Sequence, residues 1–347
     1  MSQPSPQLPP ILSVRHLKVY FRPRSIWPWQ RDAHVRAVDD LHLDLRAGET
    51  LGIVGESGCG KSTLARALIG LQAPTSGSIR YAGRELAGLS KKDWQPLRRE
   101  LQMVFQDPLA SLNPKMTVGQ IVAEPLRELC PEIPAAEHAQ RVAEMLERVG
   151  LSRDIVERHP HEFSGGQAQR IGIARALIVR PKVLICDEAV SALDVSVRAQ
   201  IVNLLVELRQ EYGLTLIFIA HDLAIVRYLC DRVLVMYLGK VMEQAGAADL
   251  FGTPKHPYTR ALMAAAPAAA AAAPADEADG KKKKKRKPPS GDLPSPAHPP
   301  MGCVFHTRCP LMESACVASI PSLRRVGAEH YAACHFVEAS DRAELQR

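Results

Sequence analysis

A chain of 347 residues exceeds one typical domain and can bury a sizeable core. Apolar residues make up 46% of it yet never run for the roughly 18 positions that a membrane-spanning helix needs, so no span is expected. The formal net charge of +7 traces to one segment: Lys281–Lys287 (KKKKKRK) carries seven positive charges and the remainder balances, which argues against a nucleic-acid-binding face on the folded body.

The opening residues, MSQPSPQLPP, lack the charged and apolar regions of a signal peptide, which predicts retention in the cytosol. From about residue 11 to 255, short β-rich apolar runs alternate with helical periodicity, the pattern of an α/β domain. Leu51–Val54, Val183–Asp187 and Leu214–Ala220 read as strands, each followed by polar or small residues where a functional loop can sit. Residues from 107 to about 160–175 read as an inserted helical subdomain, with Val142, Met145, Leu146 and Val149 on one helix face. Ile201, Leu204, Leu205 and Leu208 mark a second amphipathic helix.

Residues 55–63, GESGCGKST, fit G-x-x-x-x-G-K-[ST] between a predicted strand and a predicted helix over Leu64–Leu68. Gly55, Gly58 and Gly60 let the backbone turn its N–H groups inward around phosphate, and the helix N-terminus adds a positive partial charge. Lys61 is placed to reach the β- and γ-phosphates and Ser62 to offer its hydroxyl to Mg²⁺; Glu56, Ser57, Cys59 and Thr63 complete the ATP-binding loop.

VLICDE ends a buried strand in two acids. Asp187 suits a Mg²⁺ held through water and Glu188 a general base on the attacking water, although adjacent acids at a strand end also suit a helix cap. His221 follows the neighbouring strand LTLIFIA, where it can meet a γ-phosphate.

FSGGQAQR at 163–170 resembles the signature of ABC transporter ATPases. In that family two ATPase domains pair head to tail, so the resemblance implies that Ser164, Gly165, Gly166 and Gln167 act on the partner's ATP. It further implies that Asp194, closing SALD, crosses the dimer interface. Gln106, in VFQDPLASLNP, would sense Mg²⁺ and the γ-phosphate and connect to the permease. Phe21, in LKVYFRP, is the expected adenine-stacking ring, with Tyr20 as the alternative. Phe163 stands where the family usually has Leu and Ala189 where Pro is common; neither departure removes a reacting group.

GESGCGKST, FQDPLASLNP, HEFSGGQ and HPYTRALM are similar to the peptide and nickel importer branch, over about residues 11–265 and again over 294–336. The resemblance implies a P-loop NTPase core of RecA-like type over residues 11–263, an ATPase that energises peptide import. Nickel or another small solute is the alternative cargo, and a soluble ABC ATPase outside transport the competing reading. The implied partners are a second ATPase subunit, different or identical, two transmembrane permease subunits and, through them, an extracytoplasmic binding protein. The implied place is peripheral, on the cytoplasmic face of the inner membrane.

Residues 264–299, rich in Ala, Pro and charge, read as a disordered linker, and 300–347 as a Cys-rich extension. Cys303, Cys309, Cys316 and Cys334, spaced C-x5-C-x6-C-x17-C, fit neither a zinc finger nor a zinc ribbon, yet four thiolates suffice for tetrahedral sulfur ligation. In the resembling branch the matching cysteines hold a [4Fe–4S] cluster, and the resemblance carries that expectation to these four; zinc and four reduced thiols are the alternatives.

Overall fold

The computed structural model describes residues 9–22, 34–191, 193–265 and 293–337. The first strand, β1 (Leu12–Phe21), buries Leu12, Val14, Leu17 and Val19 and pairs antiparallel with β2 (Val35–Leu45). The two-residue alternation breaks between Val14 and Leu17, where the register shifts. The chain then enters a second sheet through β3 (Thr50–Val54) and continues by way of the glycine-rich loop into α1 (Lys61–Leu68). It returns to the first sheet as β4 (Ser76–Tyr81) and β5 (Arg84–Glu85), giving the order β2-β1-β4-β5.

After α2 (Lys91–Glu100) and β6 (Leu101–Val104) comes a helical stretch: α3 (Pro108–Ser111), α4 (Val118–Leu129), α5 (Ala135–Arg148) and α6 (Gly165–Leu177). Thr117 and Ser164 each cap the following helix in a reciprocal box with Gln120 and Gln167, as Ser/Thr-x-x-Gln predicts. In α5, Val142, Met145 and Leu146 form the buried stripe.

The parallel strands β7 (Val183–Asp187) and β8 (Thr215–Ile219) flank α7 (Val195–Tyr212) in sequence. Then follow α8 (Leu223–Leu229), β9 (Arg232–Tyr237), β10 (Lys240–Gly246), α9 (Ala247–Gly252) and α10 (Pro257–Ala265). All five residues of β3, β7 and β8 are buried, because both faces of this part of the sheet are covered. Leu216 and Phe218 face the core shared with the helices, while Ile217 and Ile219 face the core shared with the first sheet. The three strands run parallel, so the loops carrying Gly55, Glu188 and His221 emerge at one edge, where ligands bind in open α/β sheets.

Beyond residue 293 the chain adds α11 (Ser314–Ala318), β11 (Arg324–Arg325) and β12 (Tyr331–Ala332). These strands extend the second sheet, whose order is β11-β12-β10-β9-β3-β8-β7-β6, through the pairing of Glu243 with Ala332. Of the expected linker, residues 264 and 265 belong to α10, Leu293 packs on the core, and the Arg36 N–H donates to the Pro296 carbonyl at 3.1 Å. The Ala/Pro tract from 266 and the Lys281–Lys287 run lie outside the described residues. Among the described residues no helix is long and apolar enough to cross a membrane.

Candidate nucleotide site

The glycine-rich loop is pressed between two strands, which dictates its glycines. A Cβ on Gly60, at φ 106°, would sit 1.9 Å from the Ala37 carbonyl oxygen, and one on Gly55 would sit 2.2 Å from that of Met236. Lys61 is 3% exposed, and its ammonium donates to the carbonyls of Gly55 (2.9 Å) and Glu56 (3.0 Å). It also lies 3.9 Å from Oε1 of Glu188. The cation is thus held in the loop by neutral acceptors and a distant carboxylate, an arrangement that a polyphosphate can displace.

Ser62 donates from Oγ to Oδ1 of Asp187 at 2.9 Å, bringing the two expected Mg²⁺ residues together across 125 positions of sequence. Burial, reinforced by the neighbouring Glu188 charge, pushes the Asp187 carboxyl up despite that hydrogen bond. A desolvated carboxylate beside a hydroxyl, with Lys61 otherwise engaged, fits a bound divalent cation.

Glu188 follows β7 in a left-handed backbone conformation, φ 46°, which costs a non-glycine residue energy and is fixed by its N–H bond to the Ile219 carbonyl at 3.0 Å. Its Oε2 accepts from Nε2 of Gln106 at 2.9 Å. Gln106, Glu188, Lys61, Ser62 and Asp187 therefore form one connected group. His221 lies exposed past the end of β8, whose Ile219 is the register partner of Asp187. Phe21 is 38% exposed, whereas the Tyr20 hydroxyl is engaged with Oδ1 of Asp39, which leaves Phe21 the freer ring for stacking.

The signature residues are on the surface: Ser164, Gly165 and Gln167 are exposed at the N-terminus of α6 and Gly166 is partly so, packed so that a Cβ would meet Val197 at 2.5 Å. Asp194 is exposed at the start of α7 and makes no side-chain cap bond there. Arg175, half-buried on α6, donates to the Ser111 carbonyl at 2.6 Å and so ties the signature helix to the segment after Gln106. Among the described residues, Ser164 bonds Gln167 within its own helix cap and lies outside the Lys61–Glu188 group.

Three contributors were not anticipated from sequence. Tyr258 accepts the Glu56 N–H at 3.0 Å, Arg308 donates to Oε2 of Glu56 at 2.8 Å, and Arg198 joins Asp222 at 3.1 Å beside the His221 turn. HPYTRALM contains Tyr258, but nothing in its pattern points to a residue 202 positions earlier.

Two family models match. "ABC transporter" matches residues 38–191 and "Oligopeptide/dipeptide transporter, C-terminal region" matches 242–316. The oligopeptide transport ATP-binding protein OppF of Escherichia coli is 52% identical over 315 residues, covering 90% of this chain and 92% of that one. The oligopeptide transport ATP-binding protein AppF of Bacillus subtilis is 48% identical over 326 residues, covering 94% and 97%. Among solved structures, the dimeric post-hydrolysis state of the ATP-binding cassette MJ0796 bound to ADP and Pi superposes with a TM-score of 0.61 at 26% identity, over 68% of this chain and 98% of that one.

These findings correct the iron–sulfur assignment to Cys303, Cys309, Cys316 and Cys334: the matching families and relatives are described as ATP-binding transport proteins, and none as a cluster protein. Burial, with the neighbouring sulfurs, pushes the Cys303 thiol up to about 11 and the Cys309 thiol up to about 12, and raises Cys334 as well. Among the described residues His16, Asp40 and His42 form the one trio of potential metal-ligand atoms within 4.8 Å, and His16 and Asp40 are exposed surface partners. None of the four cysteines is in a disulfide, and Cys303, Cys309 and Cys316 pack on the main hydrophobic core. Identity of 52% across nine-tenths of both chains, with a cassette fold to match, shows that this chain belongs to the ABC transporter family as one of its ATP-binding ATPases.

Proposed function

We propose that the chain is the ATP-hydrolysing subunit of a peptide importer and that the Lys61–Glu188 group is its catalytic centre. The observation that carries the reading is the Gln106–Glu188 hydrogen bond beside Lys61, which aims a carboxylate into the mouth of a phosphate-binding loop. The match to the oligopeptide/dipeptide C-terminal region, and relatives named for oligopeptide transport, support peptides as the cargo.

In this reading Lys61 exchanges its two carbonyl acceptors for the β- and γ-phosphates, and Phe21 stacks on the base. Mg²⁺, when bound with ATP, neutralises phosphate charge; Ser62, Asp187 and Gln106 are the residues that would hold it. Glu188 takes a proton from the attacking water as its oxygen bonds to the γ-phosphorus and the bond to the bridging oxygen breaks, leaving ADP and phosphate. His221 positions that water from the adjacent strand end.

Ser164, Gly165, Gly166, Gln167 and Asp194 complete the site of a second ATPase subunit; their exposure, and the dimeric state of the related MJ0796 cassette, support this. The importer also needs permease subunits, for which two transmembrane chains and an extracytoplasmic binding protein are proposed. The chain would attach to them peripherally at the cytoplasmic face of the inner membrane. Co-purification with a permease, followed by peptide-stimulated ATP hydrolysis in reconstituted vesicles, tests the reading. Stimulation by peptides supports it; a permease complex that responds to nickel chelates and not to peptides overturns the cargo.

A further inference from the structure

Glu56 poses an electrostatic problem. It puts a carboxylate on the loop that must bind a polyanion, with a side chain 25% exposed and so incompletely screened by water. The solution comes from the far end of the chain. Arg308, 8% exposed, donates from Nη1 to Oε2 of Glu56 at 2.8 Å and to the Tyr237 hydroxyl at 3.2 Å. Arg308 sits between Cys303 and Cys309, three residues after Phe305, which is fully buried and packs edge-on against Tyr237 with ring centroids 5.4 Å apart. Phe305 also packs against Tyr258 at 5.3 Å, and Tyr258 accepts the Glu56 N–H.

Each polar group of Glu56 thus has an assigned partner: its carbonyl takes Lys61, its N–H goes to Tyr258 and its carboxylate to Arg308. Two of the three partners come from beyond residue 257, outside the stretch that matches the ATPase family model.

We propose that Arg308 is a positioning residue for the phosphate loop: it neutralises Glu56 and fixes the loop, so that the C-terminal segment sets the affinity of the nucleotide site in cis. Without the guanidinium, Glu56 is an unpaired carboxylate facing incoming phosphates. The reading rests on the assignment of this loop to ATP, and the test separates the two.

The experiment uses the full chain and measures kcat and KM for Mg–ATP, with binding of a fluorescent ATP analogue and a thermal melt of each variant. Arg308→Ala should raise KM about tenfold while kcat stays within about twofold, because the loss falls on nucleotide binding. Arg308→Lys, which keeps charge without the fork, should fall between it and the wild type. Adding Glu56→Gln to Arg308→Ala should recover most of the lost affinity, a rescue that a merely structural role for Arg308 would not produce. An unchanged KM in a folded Arg308→Ala protein overturns the proposal, as does a double variant as impaired as the single one. If Arg308→Ala does not fold, the comparison of Arg308→Lys with Arg308→Lys/Glu56→Gln decides by the same criterion. Lys61→Ala, run in parallel, distinguishes the failures: if it binds ATP like the wild type, the nucleotide-site assignment itself is wrong.

Discussion

Gln106 donates from Nε2 to Oε2 of Glu188 across 2.9 Å, although the two lie 82 residues apart and on different strands' loops. The bond holds the carboxylate in one orientation, with its other oxygen toward Lys61. Replacing Glu188 with Gln keeps the shape and removes the base. Single-turnover hydrolysis should fall by roughly 10²–10⁴-fold while ATP affinity changes little. Hydrolysis at the wild-type rate would remove Glu188 from the mechanism.

Lys61 bears on both stability and binding. Its ammonium satisfies two loop carbonyls at 3% exposure, so Lys61→Ala should cost the ATP-free protein about 1–3 kcal/mol. It should also abolish the ATP-dependent gain in stability, worth about 2.7 kcal/mol at a ligand concentration 100 times Kd. Melts with and without Mg–ATP report both effects; a variant that gains as much from ATP as the wild type contradicts the assignment.

Ser164 separates binding from dimerisation. It caps α6, so Ser164→Ala should lower stability by about 1 kcal/mol. Its proposed nucleotide belongs to another subunit, so ATP binding to the monomer should be preserved. In a Glu188→Gln background, size-exclusion chromatography with ATP, alone or with the paired ATPase subunit, should show a dimer that Ser164→Ala removes. A double variant that dimerises as well as Glu188→Gln alone would place Ser164 outside the interface.

The nucleotide loop was legible because its chemistry is local: Gly55 to Thr63 are contiguous, and a strand and a helix flank them visibly. The strands ending at Val54, Asp187 and Ile219 were legible because fully buried parallel strands are unbroken apolar runs. The parallel sheet then brings Ser62 to Asp187 without any sequence signal joining them. Tyr258 and Arg308 were invisible for the opposite reason. Their partner Glu56 lies 202 and 252 residues away, and only the docking of the C-terminal segment makes them neighbours. The cysteines misled because a spacing compatible with ligation does not require it, and the matching relatives and families are described only as ATP-binding transport proteins.

That docking has a pH dependence. His256 is buried as a neutral imidazole: Nδ1 accepts the Tyr258 N–H at 3.0 Å, and a hydrogen bond to the Ala333 backbone engages the ring from the C-terminal segment. Burial holds its pKa down to about 4, against 6.5 when exposed, with the Glu243 charge only partly opposing the shift. The unfolded chain therefore binds a proton below pH 6.5 that the folded chain refuses. The stabilising contribution is present in full above about pH 6.5 and is lost as pH falls toward 4, at up to about 1.4 kcal/mol per pH unit and about 3 kcal/mol in all. His256→Asn, whose Oδ1 can still accept the Tyr258 N–H, should be less stable at pH 7.5 by about 1–3 kcal/mol, since the contact with Ala333 is lost. Its stability should also decline less steeply between pH 6.5 and 5. Urea unfolding at pH 5, 6 and 7.5 measures both slopes, and parallel curves for the two proteins would show that another group governs the acid side.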